Sequence, residues 1–368
     1  MSSPIASSGP SEWRKFRIAR IARESAVIKS FYLEAADGAP TAPHKAGQHL
    51  PIRLEQRGDQ PALLRTYTIS VAPSAPQLRI SVRKLGVGSG QLHDDVAEGD
   101  LIECRVPGGD FVIDTAPAHP AVMVAAGVGI TPILAMISHL VEESERTGAM
   151  RPVIVFYAAR NTSERGFDDE LSRLAERSKG RMTLVRLLKD IGDAVLGREY
   201  EEHGVLSAEM FRKYLGFQRH DFYLCGPPGY MQSVYDILID HGVADHAIFA
   251  EAFGALSLKR QVANSVAEPL ALPATEPVDV VFDAAGTRST WSPGAGSLLE
   301  LAEGAGLSPE FGCREGACGA CKVPLLSGAV TYFRETSAAC GPNEVLICSA
   351  VPAAGAEGSA HQVVLALR

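Results

Sequence analysis

Residues 313–321 read CREGACGAC, three cysteines within nine residues of a chain that has seven in all. Cys313, Cys318 and Cys321 have the spacing C-x4-C-x2-C. Together with one distant cysteine, that run is the ligation pattern of a plant-type [2Fe-2S] cluster. Three thiolates that converge on one cluster need a tight loop. Gly312, Gly316 and Gly319, with the small Ala317 and Ala320, allow close backbone approach and amide donation to sulfur. The fourth ligand has two candidates, Cys340 and Cys348. Cys348 is the choice, because it ends the apolar run EVLIC and can be held rigidly, whereas Cys340 lies in the polar turn ACGPNE. A zinc site is the competing reading, but four-thiolate zinc sites usually show two C-x2-C pairs, and only one is present.

Around that loop the 368 residues are 46% apolar and 21% charged, the balance of ordinary globular protein, and the length suits three domains. Lys plus Arg number 35 against 43 Asp plus Glu, a net charge of −8. No basic cluster is available to displace counterions from phosphate, so nucleic acid is not an expected partner. The N-terminus MSSPIASSGPSEW lacks a basic segment followed by an apolar one, and is taken as a disordered lead-in to a cytoplasmic protein. Residues 115–141 contain no Asp, Glu, Lys or Arg, a run long enough to span a bilayer. Gly127, Gly129, Thr131 and Pro132 interrupt it, so a buried strand, a turn and a helix are expected there, with no membrane partner. The odd cysteine count disfavours a disulfide framework, and Cys104, in a strand-like run, is expected as a buried hydrophobe.

The hydrophobic period changes along the chain. From residue 12 to about 115, FRIARIA, SFYLEA, HLPIRLE, RTYTISVA, LRISVRK and DLIECRVP alternate every second residue between Gly, Pro and Asp turns, the signature of an antiparallel barrel or sandwich. From 119 to 250, the apolar strands AVMVAAG, PVIVFYAA, MTLVRLL and DFYLCG alternate with helical stretches, the signature of a parallel sheet wrapped by helices. Residues 254–275 have no period and gather Ala and Pro near their end, as a linker does. The remainder has a hairpin candidate VDVVFDAAGTRSTW, a short helix near SLLELAEGAG, the cysteine loop and further strands.

Two stretches place a glycine turn between a strand and a helix. AAGVGITPILAM, residues 125–136, can bring backbone N–H groups and a helix N-terminus to a pyrophosphate, although Pro132 stands where G-x-G-x-x-G would put its third glycine. FYLCGPPGYM, residues 222–231, puts Cys225 at the carboxyl end of a strand, where open parallel sheets bind ligands. In RTYTIS, residues 65–70, alternation places Arg65, Tyr67 and Ile69 on one face and Thr66, Thr68 and Ser70 on the other. Arg65 suits a phosphate, Tyr67 a planar ring, and the hydroxyls suit ring nitrogens. Downstream, VRKLGVGSGQLHD offers Arg83, a glycine turn at Gly86 and Gly88, and the Ser89 hydroxyl as a second phosphate contact.

In combination these motifs resemble the ferredoxin-NADP reductase superfamily, specifically members with a C-terminal ferredoxin domain such as the phthalate dioxygenase reductase and vanillate demethylase reductase group. The resemblance runs from about Trp13 onward. It implies a multidomain protein: an antiparallel β-barrel flavin domain (12–116), an α/β parallel-sheet NAD(P) domain (117–253), the linker, and a β-grasp α+β ferredoxin domain (276–368). Arg65, Tyr67 and Thr68 match R-x-Y-[ST], which implies flavin contacts, with the Thr68 hydroxyl near the reactive nitrogen. Gly127, Gly129, Thr131 and Pro132 match G-x-G-x-T-P, and Cys225, Gly226 and Pro227 match C-G-P, with the cysteine near the nicotinamide ring. Glu251 to Phe253 match the EAF that closes such modules, which makes Thr68, Cys225 and Glu251 the implied catalytic residues. SGQLHDDVAEGD followed by PGGDF is similar to FAD-binding relatives, whereas the domain order is similar to FMN-binding ones; FAD is expected and FMN is the alternative. Arg160 and Arg165, in YAARNTSER, are either 2′-phosphate ligands or solvated loop charges, so NADH and NADPH both stay open. The implied acceptor is an oxygenase component; a cytochrome, another carrier, or a redox-sensing role are the alternatives. From Glu276 onward, ten acidic residues against five basic ones leave −5, which suits a basic docking face on an acceptor.

Overall fold

The computed structural model describes residues 13–54, 63–252, 258–260, 272–307, 309–311, 316, 319–334, 336, 338, 340–354 and 362–367. The chain divides into two compact units, Arg14–Phe253 and, grouped with residues 1–13, Gly254–Arg368.

The first unit opens with the alternating segments, which form β1 (Arg14–Arg23), β2 (Ile28–Ala35), β3 (His49–Leu54), β4 (Leu63–Thr68), β5 (Leu78–Arg83) and β6 (Leu101–Cys104). Their order is β4-β3-β6-β1-β2-β5, every pairing antiparallel, and a bridge from Ile69 to Ile80 joins the two ends into a barrel. Every second residue enters the core: Leu50, Ile52 and Leu54 from β3 meet Phe31, Leu33 and Ile80. Cys104 is buried there, and burial pushes its thiol far up, as for an inert hydrophobe. A helix α1 (Val87–Asp94) stands where the sequence pointed only to a glycine turn. Its glycines oppose helix by roughly 1 kcal/mol each. Buried Leu92 and the Ser89 hydroxyl, which accepts from the N–H groups of Leu85 and Gly86 at 2.9 Å, offset that cost.

The same unit continues with β7 (Ala121–Ala126), α2 (Ile130–Thr147), β8 (Val153–Ala159), α3 (Asp168–Arg177), β9 (Met182–Leu188), β10 (Glu202–His203), α4 (Ala208–Tyr214), β11 (Asp221–Gly226), α5 (Pro228–Asp240) and β12 (Ile248–Ala252). The sheet order is β10-β9-β8-β7-β11-β12, all parallel. Strand order reverses at β7, whose six residues are all buried, as in a sheet covered on both faces. The uncharged run 115–141 is thus β7, a 3-10 turn at Gly127–Gly129, and α2. Among the described residues, no helix is long and apolar enough to cross a membrane.

Barrel and parallel sheet share one apolar cluster, in which Ile28, Ala46, Phe111 and Ile113 meet Met123, Ile133, Met136 and Tyr157. A charged contact reinforces it. Arg79 of β5, almost fully buried, donates to both carboxylate oxygens of Glu170 on α3 at 2.8 and 3.0 Å and to Ser70 Oγ at 2.9 Å. Ser70 continues to Ser81 (2.8 Å) and Ser30 (2.7 Å), so the guanidinium is embedded in a filled polar network.

The second unit contains β13 (Val278–Phe282), β14 (Thr287–Trp291), α6 (Leu298–Gly304), β15 (Lys322–Ser327), β16 (Val330–Tyr332), β17 (Glu344–Leu346), β18 (Ala350–Pro352) and β19 (Gln362–Leu365). Its main sheet runs β14-β13-β19-β15-β17 with β13 and β19 parallel, and β16 pairs with β18. Ser297 and Glu300 cap α6 reciprocally, and its Leu298, Leu299 and Ala302 are buried. This is the expected β-grasp module. Ala274 N–H donates to the Pro352 carbonyl at 2.9 Å, so the end of the linker segment already pairs with this unit. Residues 253–257 and 261–271 lie outside the described residues.

Removing the partner of a buried charge is costly, so Glu170→Ala should destabilise the first unit by about 3 kcal/mol. Thermal unfolding of the purified protein measures it; an unchanged melting temperature would mean that the Arg79 contact contributes nothing.

Candidate active site and cysteine cluster

The carboxyl ends of the parallel strands carry a cleft of about 340 Å³. Ala126 at the end of β7 and Gly127 after it enter the cleft, Ala158, Ala159 and Arg160 come from the end of β8, Lys189 from the end of β9, and Pro227 from the turn after β11. Tyr230 of α5 and Val27, Ile28 and Arg83 from the barrel side also line it, with Glu164, Gly204 and Val205. This is the switch point of an open parallel sheet, where ligands bind. Gly127 is left-handed, with φ of +56°. Gly129 serves another need: a Cβ there would collide with the Cys225 carbonyl oxygen, so the two turns touch backbone to backbone. Thr131 Oγ1 donates to the Val128 carbonyl at 3.0 Å, and Pro132 sits in the first turn of α2, where its missing N–H is not required. The Tyr230 hydroxyl is buried without a hydrogen-bond partner among the described residues. A dinucleotide fits such a cleft, with glycine backbone for its phosphates and an unmatched hydroxyl.

The cations sort differently from their sequence grouping. Arg83 lies against Gly127 and pairs with Glu164 at 2.9 Å, which places it in the lining of this cleft. Arg160 approaches the other Glu164 oxygen at 3.8 Å and is largely exposed. Arg165 turns inward onto Asp168 at 2.6 to 2.9 Å and is buried, so it is not a cleft cation.

On β4, Tyr67 packs against the barrel core beside buried Ile69, and burial pushes its hydroxyl up to about 12, with Arg65 acting in the opposite sense. Thr66 and Thr68 occupy the other face, where both hydroxyl oxygens are buried and unpartnered among the described residues. Arg65 extends over Gly88: a Cβ there would stand 3.0 Å from Arg65 Cγ and Nε. Guanidinium and helix start thus stand together, an arrangement that suits a phosphate. Ser89 spends its proton on the Gly86 carbonyl at 3.0 Å. The two idle hydroxyls and the Arg65–Gly88 pair fit a flavin and its phosphate.

Barrel and sheet meet at one further point. His49 and Thr68 are partners across β3 and β4, and Cys225 and Glu251 are partners across β11 and β12. His49 Nδ1 stands 3.5 Å from Glu251 Oε1, which joins the two pairs into one buried group. Burial drives the Cys225 thiol well above its ordinary range, and the Glu251 charge adds to the shift, so the sulfur stays a neutral thiol. His49 went unread in the sequence, where a lone histidine in GQHL has no neighbour to mark it.

In the second unit, Cys321 and Cys348 are buried with their sulfurs 3.0 Å apart, and the Gly316 N–H donates to Cys348 Sγ at 3.3 Å. Close sulfurs with amide donation are what thiolate ligation of a cluster requires. Cys340 is exposed, with Tyr332 Oη 3.8 Å from its sulfur. Cys313 and Cys318 lie outside the described residues.

Residues 123–236 match the oxidoreductase NAD-binding domain model, and residues 282–353 match the 2Fe-2S iron-sulfur cluster binding domain model. A flavohemoprotein of Deinococcus radiodurans is 38% identical over 250 residues, which cover 67% of this chain and 61% of that protein. The flavohem-like FAD/NAD-binding domain of a nitric oxide dioxygenase from Vibrio cholerae O1 biovar El Tor is 30% identical, covering 66% of this chain and 98% of the domain at a TM-score of 0.57. The chain belongs to the ferredoxin-NADP reductase superfamily. Within it, the chain is an NAD(P)H-dependent oxidoreductase with a C-terminal 2Fe-2S ferredoxin domain. Phthalate dioxygenase reductase, a modular structure for electron transfer from pyridine nucleotides to [2Fe-2S], has the same fold over 96% of this chain and 97% of its own, at 23% identity and a TM-score of 0.58.

Two outcomes follow for this superfamily member. Gly129→Ala should separate the two turns and weaken dinucleotide binding more than tenfold by fluorescence titration; wild-type affinity would refute the close approach. Native alkylation near pH 8 followed by mass spectrometry should modify Cys340 and spare Cys104 and Cys225, because the reactive thiolate is disfavoured by burial.

Proposed function

We propose that this chain is the reductase component of an oxygenase system. It would oxidise NADH or NADPH at FAD and feed electrons one at a time to the oxygenase through a [2Fe-2S] cluster held by Cys313, Cys318, Cys321 and Cys348. When bound, flavin accepts hydride and the cluster carries single electrons. The observation that carries the reading is the buried meeting of Thr68 and His49 with Cys225 and Glu251, where Thr68 Oγ1, His49 Nε2 and Glu251 Oε2 have no partner among the described residues. Polar atoms kept dry and unmatched inside a folded protein are costly unless a bound group satisfies them.

Each residue then has a task. Arg65 and the start of α1 hold the flavin phosphate, and Thr66 and Thr68 offer hydroxyl hydrogens to the ring. Gly127 admits the dinucleotide pyrophosphate, with Gly129 packed on the Cys225 backbone behind it, and Arg83, Arg160 and Lys189 supply positive charge along the cleft; neutral Cys225 would stand beside the nicotinamide. FAD is favoured over FMN by likeness to the nitric oxide dioxygenase FAD/NAD-binding domain. An oxygenase acceptor is supported by fold likeness to phthalate dioxygenase reductase along nearly the whole chain, and by the net charge of −5 beyond residue 275. A cytoplasmic setting belongs to the same reading.

Anaerobically purified protein should show flavin bands with added cluster absorbance, and mixing with NADH or NADPH should bleach both. A colourless protein containing zinc would overturn the reading. Transfer to the acceptor should slow as salt is added, the mark of opposite charges at the docking face.

A further inference from the structure

The segment Gly47–Leu50 reads GQHL. Gly47, at φ +104°, lies so close to the other half of the unit that a Cβ would strike the Phe111 carbonyl and the Met136 side chain. Alternation along β3 then fixes the next residues: Leu50, Ile52 and Leu54 enter the barrel core, so His49 takes the outer face. An outer-face residue of a barrel is ordinarily wet, yet His49 is only 3% exposed because the nucleotide sheet covers it.

Its backbone bonds go to Gly108, with N–H donating at 2.9 Å and the carbonyl accepting at 3.0 Å. Opposite Thr68, therefore, it forms a non-hydrogen-bonded pair, the kind in which side chains stand closest on a shared face. The ring lies against Gly109, where a Cβ would come within 2.7 Å of Cε1 and Nδ1. From this fixed position Nδ1 faces Glu251 Oε1 at 3.5 Å, while His49 Nε2 and Glu251 Oε2 have no partner among the described residues. A position needed only for packing would be filled better by leucine, which has no polar atoms to desolvate.

We propose that His49 is the positioning residue for Glu251: Nδ1–H holds Oε1, which leaves Oε2 as the oriented acceptor beside Cys225 and ties the barrel to the hydride-transfer end of the cleft. The 3.5 Å separation shortens when the cleft is filled, as catalytic hydrogen bonds commonly do on ligand binding. The proposal rests on the reading of that end as the hydride-transfer site.

His49→Ala, His49→Asn, Glu251→Gln and the double variant His49→Ala/Glu251→Gln test it in flavin-loaded protein. An asparagine amide supplies a donor near the Nδ1 position and guards against a variant that fails to fold. Stopped-flow flavin reduction at saturating NADH or NADPH should slow about a hundredfold in His49→Ala, with dinucleotide affinity unchanged, because misplacing a reacting group by an ångström costs that much. His49→Asn should recover most of the rate, and the double variant should be no slower than Glu251→Gln. A wild-type rate in His49→Ala, or effects that multiply in the double variant, would overturn the proposal, as would a purely structural pattern of lowered melting temperature and flavin content at normal rate. A crystal structure of His49→Ala should show the Glu251 carboxylate displaced, and an unmoved carboxylate is equally fatal. If neither dinucleotide reduces the wild-type flavin, the function proposed above fails, and that crystal structure still decides the role of His49.

Discussion

The burial of one barrel face against the carboxyl ends of a parallel sheet is the constraint on which the rest of the first unit depends. The barrel has a core of its own, but the core of the sheet half is completed by residues from outside it, since Ile28, Ala46, Phe111 and Ile113 enter the cluster around Met123, Ile133 and Met136. Apolar contact supplies the non-directional attraction, while the Arg79–Glu170 pair and its serine chain fix the register of one half on the other. Because that register is fixed, Thr68 and Cys225, 157 positions apart in the chain, are brought to one buried place by residues that neighbour each of them.

Such burial leaves polar atoms that have no partner among the described residues. Thr66, Thr68, His49, Glu251 and Tyr230 all present dry donors or acceptors, and all five belong to the barrel face, the final strand or the cleft helix. A protein that folds with this cost gains from a ligand that cancels it, so cofactor binding and stability are coupled in this unit. The ferredoxin unit has the same logic in sulfur: Cys321 and Cys348 are brought together by β15 and the turn after β17, and the Gly316 amide is already aimed at one of them.

Much of this was legible in the sequence because it is carried by period and spacing. Two-residue alternation gave away the barrel, apolar strands between helical stretches the parallel sheet, and C-x4-C-x2-C the 2Fe-2S domain. The sequence favours Cys348 over Cys340 as a ligand by its place after an apolar strand; among the described residues Cys348 is buried and Cys340 exposed. The misses share a cause, which is that partners lie far apart or that local propensity argues the wrong way. Two glycines disguised α1, and α4, seven residues long, is too short for its period to stand out. Arg83 was grouped with the glycines that follow it, although β5 ends by sending it across to Gly127. Arg165 has its partner only three residues on, at Asp168, and that pairing was open to being read. His49 meets Glu251 across two hundred residues of chain, and nothing local announces it.

The central claim is that one chain joins two-electron and one-electron carriers. An anaerobic titration with NADH or NADPH, followed by absorbance, tests it most directly. A flavin takes two electrons and a [2Fe-2S] cluster one, so full bleaching should need about one and a half equivalents of dinucleotide per chain, with cluster absorbance falling alongside the flavin's. An end point at one equivalent, with the cluster absorbance untouched, would contradict the account.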